Sequence, residues 1–118
     1  MAELSPSELL ARATDVIEER GYSKYADTPV GPVSLIGACY VAYFDLTGPE
    51  SKDQSNFRAL MDLFSNLSAS IGPDLPSARD PLAAWEAQPS TREESVTALI
   101  AVTQARLSRA TSASAATF

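Results

Sequence analysis

The chain has 118 residues, with nine Lys and Arg against fifteen Asp and Glu for a formal charge of -6, one cysteine and no histidine. A single domain of this length buries roughly 65% of the surface its unfolded chain exposes, so one ordinary core suffices without disulfides or metals. The missing imidazole excludes Ser-His-Asp and Cys-His catalysis and leaves zinc poorly served, and the acidic balance without a basic run excludes a phosphate-neutralising surface.

The same residues bound the setting. The start, MAELSPSELL, has neither the positive charge nor the apolar run of a secretion signal, and a lone cysteine closes no internal disulfide. The longest apolar run, Val33 to Leu46 with Ser34 and Asp45 inside it, falls short of the ~20 residues that span a bilayer. A soluble, cytoplasmic protein is expected, with neither nucleic acid nor membrane as partner. Five scattered glycines make no phosphate loop, and no Asp-rich loop has the spacing of a calcium site. No metal and no cofactor are expected.

The first helix announces itself with SPSE: Ser5 caps, Pro6 fits the first helical position and Glu8 returns a bond to the cap. Leu9, Leu10, Ala13, Val16 and Ile17 form one apolar stripe, and Gly21 supplies the stop, giving a helix from about Pro6 to Arg20. Asp15, Glu18 and Glu19 read as a solvated face, with Glu8 and Arg12 at ion-pair spacing. The following GYSKYADTPVGP is a loop by its glycines and prolines, and Tyr22 and Tyr25 are expected to close over one end of the core.

SLIGACYVAYF, Ser34 to Phe44, is apolar on nearly every side if helical, which predicts a helix in the centre of a bundle. Ser34, Gly37, Ala38, Val41 and Ala42 form a seam of mostly small residues, while Ile36, Tyr40, Tyr43 and Phe44 carry the bulk. A buried strand is the alternative, since Val, Ile, Tyr and Phe also favour sheet. After the turn LTGPES, the positions Phe57, Leu60, Met61, Phe64, Leu67 and Ile71 step by three and four and predict a core-facing helix from about Lys52 to Ser70. Ser51 with Gln54 repeats the capping arrangement, and Arg58 with Asp62 has the spacing of an exposed pair.

IGPDLPSARDPLAAWEAQPS holds four of the eight prolines and should run extended apart from one short helical turn around Leu82 to Glu86. A last helix is expected from Ser90 or Thr91 to about Arg109, capped by Ser90 with Glu93 or by Thr91 with Glu94, with Val96, Leu99, Ile100, Thr103 and Leu107 inward. The tail ATSASAATF has too little bulk to pack and is expected to be mobile. The predicted architecture is all-α: a single-domain bundle of about four main helices, residues 1–109, with a short extra helical turn in the proline-rich crossover and a tail over 110–118.

Candidate site residues are few. Cys39 reads as a small core side chain, because a reactive thiol wants an adjacent cation and the nearest in sequence, Lys24 and Lys52, are far along the chain; only folding could bring Arg58 or Arg79 to it. Cys39, Tyr43, Asp45 and Asp27 are the catalytic candidates. Trp85, Tyr22, Tyr25 and Tyr40 are the binding candidates, with Trp85 expected to bury its ring against the bundle from the crossover.

Gly31, Val33, Leu35, Gly37 and Ala38, then Trp85, then Thr91, Glu94 and Val96 carry a resemblance. The order of these pieces resembles an uncharacterised family of small helical proteins of actinobacteria and their phages, a domain of unknown function. Where that family often has cysteine before the first leucine and Asn-Asp after the tryptophan, this chain has Ser34 and Glu86-Ala87. The resemblance implies a helical fold and brings no activity. Two functional readings stand: a binding or accessory protein acting through contacts with a protein partner or a second copy, and a compact histidine-free enzyme or small-ligand carrier with tyrosines and an aspartate around an apolar pocket. The abundance of helical stripes beside so few reactive groups favours the first.

Overall fold

A computed structural model describes residues 4–23, 31–48 and 54–116. They form five α-helices, α1 (Pro6–Arg20), α2 (Leu35–Thr47), α3 (Gln54–Ile71), α4 (Pro81–Ala87) and α5 (Glu93–Ala116), with a 3-10 turn over Gly72–Asp74. The all-α bundle with its short helix in the crossover is the fold of this chain. Among the described residues, the one departure from helix pairing is an isolated parallel bridge between Tyr22 and Val33.

α1 forms where its local signals put it. Ser5 Oγ accepts from the Glu8 N–H at 3.2 Å, Pro6 opens the helix, and Gly21 at φ 86° lets its own N–H reach the Ile17 carbonyl at 2.7 Å. Its apolar stripe, Leu9, Leu10, Ala13 and Val16, is buried, and α1 touches α2, α3 and α5. At roughly 1.5–3 kcal/mol for each large side chain removed from water, this stripe is the main apolar contribution of the helix. Ser7 and Gln104 fix α5 to α1 reciprocally: Ser7 Oγ donates to Gln104 Oε1 at 3.0 Å, and Gln104 Nε2 donates to the Ser7 carbonyl at 3.1 Å.

The expectation that α2 lies in the centre is corrected. Ser34 to Phe44 is helical rather than strand, with Ser34 Oγ accepting from the Gly37 N–H at 3.0 Å. A Cβ at residue 37 would stand 3.1 Å from that hydroxyl, so the turn is tight enough to favour glycine. The buried face is Leu35, Ala38, Cys39, Ala42 and Tyr43, whose small members let the backbone approach α1 closely. The opposite face turns outward, with Tyr40 41% and Phe44 51% exposed. α1, not α2, packs against three other helices, α2, α3 and α5, while α2 rests mainly on α1.

α3 buries Ala59, Leu60, Leu63 and Leu67, which shifts its inner face by about a fifth of a turn from the expected stripe. Leu63 enters the core, Met61 and Phe64 sit half-buried at its margin, and Phe57 is 49% exposed. The expected cap at Ser51 lies outside the described residues. α5 also starts differently: Ser95 Oγ accepts from the Arg92 N–H at 3.1 Å, while the Thr91 hydroxyl donates to the Trp85 carbonyl at 2.7 Å instead of capping. The helix continues past Arg109 to Ala116, since Ala, Ser and Thr there include no glycine or proline to stop it. No helix among the described residues is long and apolar enough to cross a membrane.

Candidate functional site

Three features of the surface and core contain side chains capable of chemistry or recognition. The first is a buried polar node around Glu86. α4 is capped by Asp80, whose Oδ1 accepts from the Ala83 N–H at 3.2 Å, and this short helix carries Glu86 inward until it is 4% exposed. Glu86 Oε2 accepts from the Leu35 N–H at 2.6 Å and from the Tyr22 hydroxyl at 2.8 Å, and Oε1 lies 3.5 Å from the Ile36 nitrogen. The carboxylate therefore satisfies first-turn donors of α2 that have no partner within the helix, at the end where the helix dipole favours negative charge. Tyr22 is held there by the short bridge, in which the Val33 N–H donates to the Gly21 carbonyl and the Ser23 N–H to the Val33 carbonyl, both at 3.0 Å. Burial, then the hydrogen bond to Glu86, pushes the Tyr22 phenol well above its ordinary value of 10.0.

Cys39 lies behind this node and is fully buried. Burial, and secondarily the Glu86 charge, pushes its thiol up to about 12. The charged neighbour that folding brings is thus a carboxylate and not an arginine, and a neutral thiol at this position is a packing group. Tyr43 is also buried, edge-on to Phe44 and Phe57 at centroid distances of 5.5 and 6.3 Å. Asp45 is exposed and accepts from Arg12 Nη2 at 3.0 Å and Nε at 3.2 Å, while Arg12 Nη1 also reaches Glu19 at 3.3 Å. Arg12 therefore bridges α1 to α2 rather than pairing with Glu8. Asp27 and Tyr25 lie outside the described residues. The catalytic candidates Cys39, Tyr43 and Asp45 are dispersed to a core, an aromatic cluster and a surface ion pair.

The second feature is the outward face of α2 with the adjoining edge of α3. Tyr40 packs on Phe64 at a centroid distance of 5.6 Å, and with Ile36, Met61, Pro81 and Leu82 they line an open groove of about 570 Å³. Ser65, Ser68 and Asp80 line the rest of its wall, so among the described residues Asp80 is its one charged lining residue. Arg58 and Asp62, seven and three residues before Ser65, share its side of α3 by helical spacing. They make no ion pair with each other, contrary to their spacing, and both are exposed.

The third feature surrounds Trp85. Its residue is half-buried and packs against the core, as the crossover position predicts, and it also lines two adjoining grooves of about 470 and 230 Å³. Asp74, Trp85 and Ser95 are common to both; Gln88, Ser90 and Thr91 line the larger, and Ile71, Leu99 and Val102 the floor of the smaller. Of the binding candidates, Tyr22 serves the Glu86 node, Tyr40 the aromatic groove and Trp85 its own pair of grooves; the fold does not bring them together. Glu86 itself is the residue that sequence reasoning missed. Its neighbours are apolar on one side, AAW, but nothing local announces a partner 51 residues earlier.

Among the described residues no group of three His, Cys, Asp or Glu side chains could hold a metal ion. No protein of curated function and no solved structure matches the chain. A family model does match, over residues 1–106, which is most of the chain and includes the Glu86 node and both grooved faces: the chain belongs to DUF6197, a family of unknown function.

Proposed function

We propose that this protein is a non-catalytic binding module that acts through protein contacts, with the aromatic face of α2 and α3 as its docking surface. The observation that carries this reading is the outward turn of an apolar helix. Tyr40, Phe44 and Phe57 are 41%, 51% and 49% exposed, and at ~200 Å² per ring residue they offer roughly 300 Å² of apolar surface. Half-buried Ile36, Met61 and Phe64 add to it. That falls within the ~300–600 Å² of the largest patches on monomers, which are often functional, and is most of the apolar part of one side of a standard interface of ~800 Å².

The occupant that fits is an apolar helical segment of another protein, flanked by basic residues. The groove lies between helices and suits side chains presented at helical spacing, its one charged lining residue among those described is Asp80, and the chain carries a net charge of -6. The alternative, a small histidine-free enzyme, draws less support: the buried carboxylate Glu86 is held by the Leu35 N–H and the Tyr22 hydroxyl, and Asp80 is exposed and occupied as a helix cap. A photo-crosslinking residue at position 44 or 57, introduced in the producing cells, tests the proposal. One partner should be trapped at both positions through an apolar segment with basic flanks, and its capture should be lost with Phe44→Asp but kept with Asp15→Asn on the exposed face of α1. Trapping of a second copy alone, or of nothing at either position, would refute the reading.

A further inference from the structure

We infer that the paired grooves around Trp85 form a second binding site, separate from the aromatic face, that takes a guanidinium group. Trp85 and Asp74 line both grooves, and among the described residues Asp74 is the one charged lining residue of either. Asp74 is exposed at the end of the 3-10 turn and enters no ion pair among the described residues. Around it stand the hydroxyls of Ser90, Thr91 and Ser95, whose oxygens can accept hydrogen bonds. Thr91 is anchored, since its hydroxyl donates to the Trp85 carbonyl at 2.7 Å and so presents its lone pairs rather than its proton. The next residue, Arg92, is exposed and is not a lining residue of either groove.

An anion finds no cation among these lining groups. An apolar ligand would bury the Asp74 carboxylate without a partner, which is costly. A cation meets a carboxylate, acceptors and the side chain whose ring binds cations best. Guanidinium fits better than ammonium because it is planar, can stack on indole, and directs several N–H donors at once to a carboxylate and flanking oxygens. The apolar floor of Ile71, Leu99 and Val102 in the smaller groove suits the alkyl stem that such a group carries. The guanidinium could belong to a free metabolite or to an arginine side chain of a protein; the chemistry of recognition is shared.

Trp85 is the only tryptophan of the chain, so its fluorescence reports on this site alone. Methylguanidine, N-acetyl-argininamide and an arginine-containing peptide are titrated against the whole protein at constant ionic strength, with urea as the neutral isostere and acetate as the anion. A saturable change with a guanidinium compound, weakened at least tenfold by Asp74→Asn, abolished by Asp74→Lys and not produced by urea or acetate, is expected. Binding of methylguanidine identifies a free-metabolite site, and binding of the argininamide or peptide alone identifies a protein arginine. No saturable response to any of the three, an equal response to urea, or an unchanged response in folded Asp74→Asn protein would overturn the inference. Neither variant touches the α2 and α3 face, so the outcome is independent of the crosslinking result.

Discussion

Replacing Glu86 with alanine removes one acceptor and leaves three donors behind. The Leu35 N–H is the costly one: its residue is fully buried and its partner stands at 2.6 Å. An unsatisfied buried donor costs about 1–3 kcal/mol. The Tyr22 hydroxyl is half-exposed and can turn to water, so its loss is nearer ~1 kcal/mol, and the Ile36 N–H at 3.5 Å adds little. Removing negative charge from the α2 N-terminus adds roughly 0.3–1 kcal/mol. The sum is about 3 kcal/mol, a large share of the ~5–15 kcal/mol that holds a domain together, and it corresponds to a fall in melting temperature of roughly 10–20 °C for a chain of this size. Glu86→Gln keeps the carbonyl acceptor for Leu35 and Tyr22 and should cost only about 1 kcal/mol. Thermal denaturation by circular dichroism measures both, and ultraviolet titration adds a local readout: the Tyr22 phenol, raised by burial and by Glu86, should ionise at lower pH in either variant. A Glu86→Ala protein that melts with the parent, or a Gln variant as damaged as the Ala variant, would refute the capping role.

Cys39 should resist a water-soluble aromatic disulfide reagent under native conditions and react fully once the chain is unfolded; rapid native modification would contradict its burial. The same burial sets a pH dependence. The thiol loses its proton at an ordinary value of 9.0 when unfolded and only at about 12 when folded, so the stability it contributes is intact below pH 9 and declines as pH rises through that window. Tyr22 acts with the same sign from about pH 10. Melting temperature should therefore fall between pH 9 and 11, less steeply in Cys39→Ala protein, and parallel curves would count against the assignment. The Thr103 hydroxyl is fully buried without a hydrogen-bond partner among the described residues, so Thr103→Val, which keeps the shape, should stabilise by about 1 kcal/mol. A lower denaturant midpoint for that variant would mean that the hydroxyl has found a partner.

The sequence alone determined those elements whose instructions are local. Ser5, Pro6 and Gly21 bound α1 because a cap, a fixed φ and a positive φ act within one turn, and Asp80 before Pro81 starts α4 for the same reason. The absence of histidine restricted the chemistry whatever the fold. Tertiary structure decided what depends on a neighbour. Periodicity in α3 named the right side of the helix, yet Leu63 and not Phe57 entered the core, because the position of α1 and α5 fixes the centre of the buried arc. Arg12 had Glu8 at helical spacing but found Asp45 on another helix, where two N–H groups reach one carboxylate oxygen. α2 shows the limit most clearly: a helix apolar on every side has no preferred inner face in its own sequence, and only the close approach of Ala38 and Ala42 to α1 turned Tyr40 and Phe44 outward. Glu86 belongs to the same class, since the α2 donors that it satisfies are far away in the chain and become its partners only when α4 folds against the N-terminus of α2.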